Sequence, residues 1–420
     1  MRACIHRGSH QIGGSCVELE QDGKRLLLDL GLPLDAKVND RDYLPGAVGL
    51  DGNDSTLLGI LISHPHLDHY GLLAHVATTL PVGIGPAARR IIAAAQPFLE
   101  KVSAASALPA PGWDYQSGQS FDIGPFAVTP YLVDHSAYDA YAILIEAGGR
   151  RLFYSGDFRA HGRKGLLFDR LVAQPPASID ALLVEGSSLG RLDATGRFAT
   201  EGDIEQWLLK TFRGARGLAL VHTSMQNIDR VVSIFRAAKR SGRRLVIDLY
   251  GAAILAATGN AAIPQSDWPE VALYVPELQR RQIKGEGWFE LLRQHSTHRI
   301  FRQHLEAASD RFALLFRPLH APDLERAGCL DSAVYIYSQW EGYWAEPGME
   351  RLKAWLVRNG LTKVSIHTSG HASPPDLQAF VEALSPRTVV PIHSFFPERY
   401  PNLFPDANVT AHADGEWWEV

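Results

Sequence analysis

Cysteine is nearly absent from this chain: Cys4, Cys16 and Cys329 are the only three in 420 residues. They are scattered and form no Cys-x-x-Cys pair. That argues against a disulfide framework or a zinc ribbon and fits a reducing cytoplasm best. Long apolar runs are missing as well. No stretch has the length and purity of a transmembrane helix, so no membrane partner is expected. The opening MRACIHRGSHQIGG lacks the apolar core of a signal peptide. Nor is there an excess of positive charge: the net charge is −5. Phosphate contacts supply much of the affinity of a polyanion binder, so such a protein would need local basic patches here. No internal repeat and no low-complexity linker is visible.

Hydrophobic residues make up 46% of the chain and charged residues 21%, enough to bury a real core. The length suits two or three domains, or one large core with an insertion. Apolar runs at 26–30, 57–63, 126–133, 141–146, 151–155 and 181–185 read as strands. Helical patterns at 67–79 and 86–101 lie between them, which places the chain in the α/β class. After Glu185 the texture changes. Residues 200–240 look helical, strand-like runs follow at 217–222 and 244–249, and 276–317 is rich in Arg and His. This middle part reads as a second domain. The first pattern resumes near 363, with a strand to His367, a Ser-Gly-His turn, a helix from Pro374 and a strand at 387–393. Asp414-Gly415 suggests a closing hairpin.

The strongest signal is His64-Pro-His66-Leu-Asp68-His69, directly after an apolar strand. Imidazole suits zinc, and a carboxylate can serve it too. His64 and His66 are spaced to meet one ion, and Asp68 and His69 can face a second. A surface histidine cluster is the bland alternative. Three later residues fall at equivalent places: His135 after 126–133, Asp157 after 151–155, and His393 at the end of 387–393. Alone, Asp157 could cap a turn and His393 could be a satisfied core histidine. Their recurrence at strand C-terminal ends is what α/β architectures use to gather ligands at one edge.

In this order, Asp29, His64-x-His66-x-Asp68-His69, His135 and Asp157 resemble the metallo-β-lactamase superfamily. The later motifs resemble its β-CASP nuclease branch: Glu185 in Val-Glu-Gly-Ser-Ser-Leu-Gly-Arg, His371 in Thr-Ser-Gly-His-Ala-Ser, and His393 in Val-Pro-Ile-His. The stretch Ser369 to Ser373 is similar to ribonuclease J and to the endonuclease that cuts messenger RNA 3′ ends. The resemblance implies an αββα sandwich in two parts, 1–186 and 363–420, with an α/β β-CASP cap inserted at 187–362. It implies two Zn2+ ions, with Mn2+ as an alternative. His64, His66 and His135 would hold the first ion, and Asp68, His69 and His393 the second. Asp157 would bridge them, and Asp29 would orient a ligand histidine. Asp68, Asp157, Glu185 and His371 would be catalytic, with Glu185 keeping His371 protonated beside the scissile phosphate.

The activity implied is phosphodiester hydrolysis in RNA, endo- or exonucleolytic, by water activated between two metals. A glutamate at the first later motif and a histidine at the third favour RNA over DNA. The alternatives are a DNA nuclease of the same branch and a small-molecule ester or lactone hydrolase of the superfamily. Ser224, Gln226, Asn227, Ser369 and Ser373 lie where relatives bind substrate. The Arg-rich segment 276–317 and the cluster 236–244 could line a groove, or could be solvated helix faces. Tyr337, Trp340, Tyr343 and Trp344 could stack on bases, or could be core. Ribonuclease J relatives carry a further C-terminal domain that is expected to be missing here, so dimerisation and processive 5′ action are not carried over.

Overall fold

The computed structural model describes residues 1–103, 108–109 and 111–420. The chain divides into two compact units, Met1–Phe198 with Gly370–Val420, and Ala199–Ser369.

The first unit holds two sheets. The seven-stranded sheet runs, in spatial order, Trp417–Glu419, Arg2–Arg7, Cys16–Gln21, Lys24–Leu28, Leu57–Leu61, Val82–Ile84 and Pro111–Asp114. The six-stranded sheet runs Thr388–Pro391, Ala181–Val184, Arg150–Tyr154, Ala140–Ala147, Phe126–Val133 and Phe121–Ile123. Period-2 alternation sorts their side chains between layers. Leu26, Leu28 and Leu61 meet Ile143, Ile145, Leu152, Tyr154 and Leu183 in one core between the sheets. Leu27, Ile60 and Ile62 face the other way, onto Ile84, Ala88 and Ile92. Phe153, Leu182 and Val184 face a third core built on Phe168 and Phe380 from the helices Leu166–Ala173 and Pro374–Leu384. Helix, sheet, sheet and helix therefore stack in four layers.

Continuous apolar runs work here because both faces of the central strands are covered. The run 126–133 forms its strand throughout, 141–146 and 151–155 differ from theirs by one residue at each end, and 181–185 by one residue at its C-terminal end. The chain leaves the strand Lys24–Leu28 abruptly, because Asp29 takes a left-handed backbone (φ 59°). The helix expected over 67–79 is shorter. Leu67–Tyr70 is followed by a 3-10 segment, Gly71–His75. The expected hairpin at Asp414-Gly415 does not form. Trp417–Glu419 pairs instead with Arg2, Ala3 and Cys4, and the Gly415 N–H donates to the Ile5 carbonyl.

The second unit is a seven-stranded, all-parallel sheet in the order Arg299–Ile300, Val271–Tyr274, Arg244–Ile247, Phe312–Phe316, Ala219–His222, Val334–Tyr337 and Lys363–Ser365. The helix Glu201–Gly214 leads into the sheet, and helices such as Ile228–Arg240 and Leu249–Ala257 connect its strands. The strand expected to resume the first unit near 363 completes this sheet instead, through Tyr335↔Lys363 and Tyr337↔Ser365. At the other boundary, residues 187–198 stay with the first unit: the Phe198 N–H donates to Ser373 Oγ and Arg197 pairs with Asp376. Along the chain the division falls at 198/199 and 369/370 rather than at 186/187 and 362/363.

Among the described residues no helix is long and apolar enough to cross a membrane.

Candidate metal centre

Six site residues lie within three residues of strand C-terminal ends in the first unit: Asp29, His64, His135, Asp157, Glu185 and His393. His66, Asp68 and His69 come from the short helical turn at 67–70, with His66 at its N-terminus. Two tight approaches let these loops converge. A Cβ on Gly31 would collide with the Asp68 carbonyl, and one on Gly370 would collide with Ser136 and crowd the His135 ring. Phe158, next to Asp157, is buried and packs with its ring tilted against Phe380, centroids 4.5 Å apart, which fixes the Asp157 loop on the helix layer.

Three groups of ligand-type side chains result: His64 with His66 and His135; Asp68 with His69, Asp157 and His393; and Asp157 with Glu185 and His371. Asp157 is central. Its Oδ2 lies 3.2 Å from His69 Nε2 and 3.6 Å from each of His64 Nε2, His393 Nε2 and His371 Nδ1.

The outer nitrogens of these rings are held by neighbours. The Gly370 carbonyl accepts from His135 Nδ1 at 2.6 Å, which leaves Nε2 as a bare lone pair facing His66 Nδ1 at 3.2 Å. Asp29 Oδ2 takes His69 Nδ1 at 2.7 Å. Ser63 Oγ lies 3.0 Å from His64 Nδ1, and Ser15 Oγ lies 2.9 Å from His393 Nδ1. Asp29 is itself fixed by the Ser63 N–H at 2.7 Å, Ser63 Oγ at 2.8 Å and the Tyr154 hydroxyl at 2.7 Å. Such outer partners set ring orientation and basicity in metal sites. Gly370 lies in the Ser369–Ser373 stretch marked in the sequence, whereas Ser15, Ser63 and Tyr154 were not singled out there. Only Ser63, adjoining His64, carried a signal that could have marked it.

Protonation follows from burial and neighbours. Burial pulls His66 down to about 4. It holds His64 and His135 well below the ordinary imidazole range, helped by the rings beside them, and lowers His393 too. Neutral imidazole is the metal-binding form. Burial pushes the Asp157 carboxyl up, but His393, His69 and His371 outweigh it and keep Asp157 well below the usual range. His69 is the exception among the rings. Burial lowers it, yet Asp157, Asp29 and Asp68 hold its proton well above the ordinary range. Those carboxylates are the counter-charge that a metal cation would meet in place of that proton.

The residues fit a metal on one structural observation. His64 Nε2, His69 Nε2, His393 Nε2 and both Asp157 oxygens are buried with no hydrogen-bond partner. Buried polar atoms are almost always paired, and a cation held at this point would satisfy all five. The 3.2 Å between His66 Nδ1 and His135 Nε2 also suits two nitrogens on one tetrahedral zinc, which sit about 3.3 Å apart.

The remaining sequence candidates are placed differently. His371 and Glu185 come together, with Nδ1 to Oε2 at 2.9 Å. Ser373 starts the helix Pro374–Leu384 in a reciprocal cap with Asp376. Ser224, Gln226, Asn227 and Ser369 belong to the second unit. Asn227 caps Ile228–Arg240 by accepting from the Arg230 N–H, Ser224 Oγ accepts from the Gln226 N–H, and Gln226 donates to the Tyr250 hydroxyl. Several residues of the basic segments are paired with carboxylates. Arg280, Arg281, Arg293 and Arg317 pair with Asp323, Glu277, Glu290 and Asp248. Arg236 and Arg240 pair with Glu205, Lys239 pairs with Glu270, and buried Arg243 donates to backbone carbonyls. Trp344 packs on Tyr337 at 4.9 Å, while Trp340 and Tyr343 are exposed.

Residues 11–198 match the metallo-beta-lactamase superfamily, and 361–396 match the Zn-dependent metallo-hydrolase RNA specificity domain. Ribonuclease J of Mycoplasma genitalium is 23% identical over 93% of this chain and 67% of its own length. Ribonuclease J of Mycobacterium tuberculosis is 23% identical over 94% of this chain and 68% of its own length. The chain thus spans about two thirds of these relatives. A crystal structure of a protein of unknown function from Enterococcus faecalis shares the fold, with a TM-score of 0.79 over 99% of both chains at 20% identity. The clustered imidazoles, the buried carboxylates beside them and these matches agree: residues 11–198 carry a metallo-beta-lactamase superfamily domain, and the chain is a metal-dependent hydrolase similar in sequence to ribonuclease J.

Proposed function

We propose that this protein is a two-metal phosphodiesterase that hydrolyses RNA. The observation that carries the reading is Asp157, whose carboxylate is shared between the imidazole groups and the His371–Glu185 pair. His64, His66 and His135 would hold one divalent ion, Asp68, His69 and His393 the other, and Asp157 would bridge them. Zinc suits this donor set, and manganese is the alternative. Bound there, the ions supply a nucleophile at neutral pH and a counter-charge for phosphoryl oxygens.

The chain's own residues do the rest. Asp29 fixes the ring of His69. Glu185, held by the Phe158 N–H at 2.9 Å, keeps a proton on His371. Burial lowers His371, but Glu185 and Asp157 raise it to about 9. A cationic imidazole beside the metal groups suits donation to the scissile phosphate and then to the leaving oxygen. Small ester or lactone substrates offer no phosphate for that donor. The choice of RNA follows the ribonuclease J relatives and the RNA specificity domain matched at 361–396.

Matched end-labelled single-stranded RNA and DNA, with Asp157→Ala as control, test the reading. Asp157-dependent cleavage of RNA supports it. DNA cleavage alone moves the substrate to DNA, and cleavage of neither by metal-loaded protein contradicts the nuclease reading.

A further inference from the structure

Arg191 stands apart from the other arginines described above. It is exposed, and no carboxylate lies within ion-pair distance of it among the described residues. Its neighbour Arg197, by contrast, is tied to Asp376 at 2.7 Å. Its guanidinium lies over the Phe198 ring, 5.1 Å from the centroid. Two independent routes anchor it at the site. From one side, the strand Ala181–Val184 ends at Glu185 and the chain turns tightly. The Leu189 N–H donates to the Gly186 carbonyl and the Arg191 N–H to the Ser188 carbonyl. Gly190 (φ 86°) fixes the turn, since a Cβ there would collide with the Phe396 ring. From the other side, the Phe198 N–H donates to Ser373 Oγ at 3.1 Å, two residues beyond His371. Partial burial of the guanidinium lowers Arg191, and the nearby charge of Glu185 offsets part of that.

We propose that Arg191 is a phosphate subsite, in which the guanidinium laid on Phe198 takes a phosphoryl oxygen of a phosphodiester substrate next to His371. This rests on the nuclease reading above. A planar fork already stacked on a ring loses little freedom on binding and matches phosphate in bidentate fashion. The bland alternative is a cation–π contact alone, worth about 0.5–1 kcal/mol at an exposed site.

The test is KM and kcat for a single-stranded oligoribonucleotide, measured across a KCl series for wild type, Arg191→Gln and Arg191→Lys. Arg191→Gln is expected to raise KM roughly tenfold and to flatten the slope of log KM against log salt by about 0.7. Arg191→Lys keeps the slope but recovers only part of the affinity, because the ammonium has no fork. Tm and metal content stay at wild-type values. A cleaving wild type with an Arg191→Gln variant of equal KM and slope overturns the subsite and leaves the nuclease reading standing. If wild type cleaves no nucleic acid, the nuclease reading fails, and titration with inorganic phosphate decides the subsite. Binding lost in Arg191→Gln supports it, and equal or absent binding in both proteins overturns it.

Discussion

Glu185 Oε2 lies 2.9 Å from His371 Nδ1, although the two residues are 186 positions apart in the chain. In the metal-free protein this pair, with Asp157, holds the His371 proton up to about 9. The ordinary imidazole value is about 6.5. A raised folded-state pKa stabilises in full below the unfolded value and is lost as pH rises through the folded one. Glu185→Gln should therefore cost on the order of 2 kcal/mol at pH 6 and little above pH 10. The His371 resonance of the apoprotein should titrate lower in the variant. An unchanged His371 titration would contradict the pairing.

Asp29 receives the Ser63 N–H, Ser63 Oγ, the Tyr154 hydroxyl and His69 Nδ1, all within 2.8 Å. Asp29→Asn is expected to weaken metal binding roughly 10–100-fold through the ring of His69. Competition with a chromogenic chelator measures it. Wild-type affinity in the variant would mean that the carboxylate only supports the strand end.

Chelation should destabilise the protein, because the buried His64, His69, His393 and Asp157 atoms then lose their cation. A ligand held at 1,000 times its Kd contributes about 4 kcal/mol. Tm should fall on metal removal and recover with two equivalents of zinc. Since neutral imidazoles bind and protonated ones do not, affinity should also fall as pH falls. Elemental analysis giving one metal or none per gently purified chain would contradict the two-ion assignment.

In the second unit, Arg230 and Glu201 form a fully buried pair at 2.9 Å, with Arg230 also donating to Ser338 and the Thr368 carbonyl. Glu201→Ala leaves a buried guanidinium without its counter-charge and should cost about 3–5 kcal/mol. Urea unfolding followed by tryptophan fluorescence checks this, since Trp207, Trp268, Trp288, Trp340, Trp344 and Trp355 all lie in this unit. A wild-type midpoint would contradict it, and metal content should not change.

Much of the first unit could be read from sequence because its strands are buried on both faces and so appear as unbroken apolar runs. His64, His135, Asp157 and His393 could be read for the same reason, each following such a run. The parts that could not be read depend on partners distant in sequence. Lys363–Ser365 has a single apolar residue, Val364, that suits neither unit over the other, and only its pairing with Val334–Tyr337 decides. Asp414-Gly415 has hairpin chemistry, but the Arg2–Arg7 strand competes successfully for Trp417–Glu419. The basic runs at 236–244 and 276–317 suggested a groove, while the carboxylates that neutralise them lie up to 69 positions away, as Asp248 does from Arg317.

The most direct test of the account is His371→Ala, assayed for metal content and for RNA cleavage together. His371 lies in none of the imidazole groups assigned to the metals, so the variant should retain two ions per chain. Loss of a positioned proton donor should lower kcat by about 10²–10⁴-fold. A variant that keeps its metals and cuts RNA at the wild-type rate would contradict the role given to His371, and with it the phosphodiesterase chemistry proposed for this site.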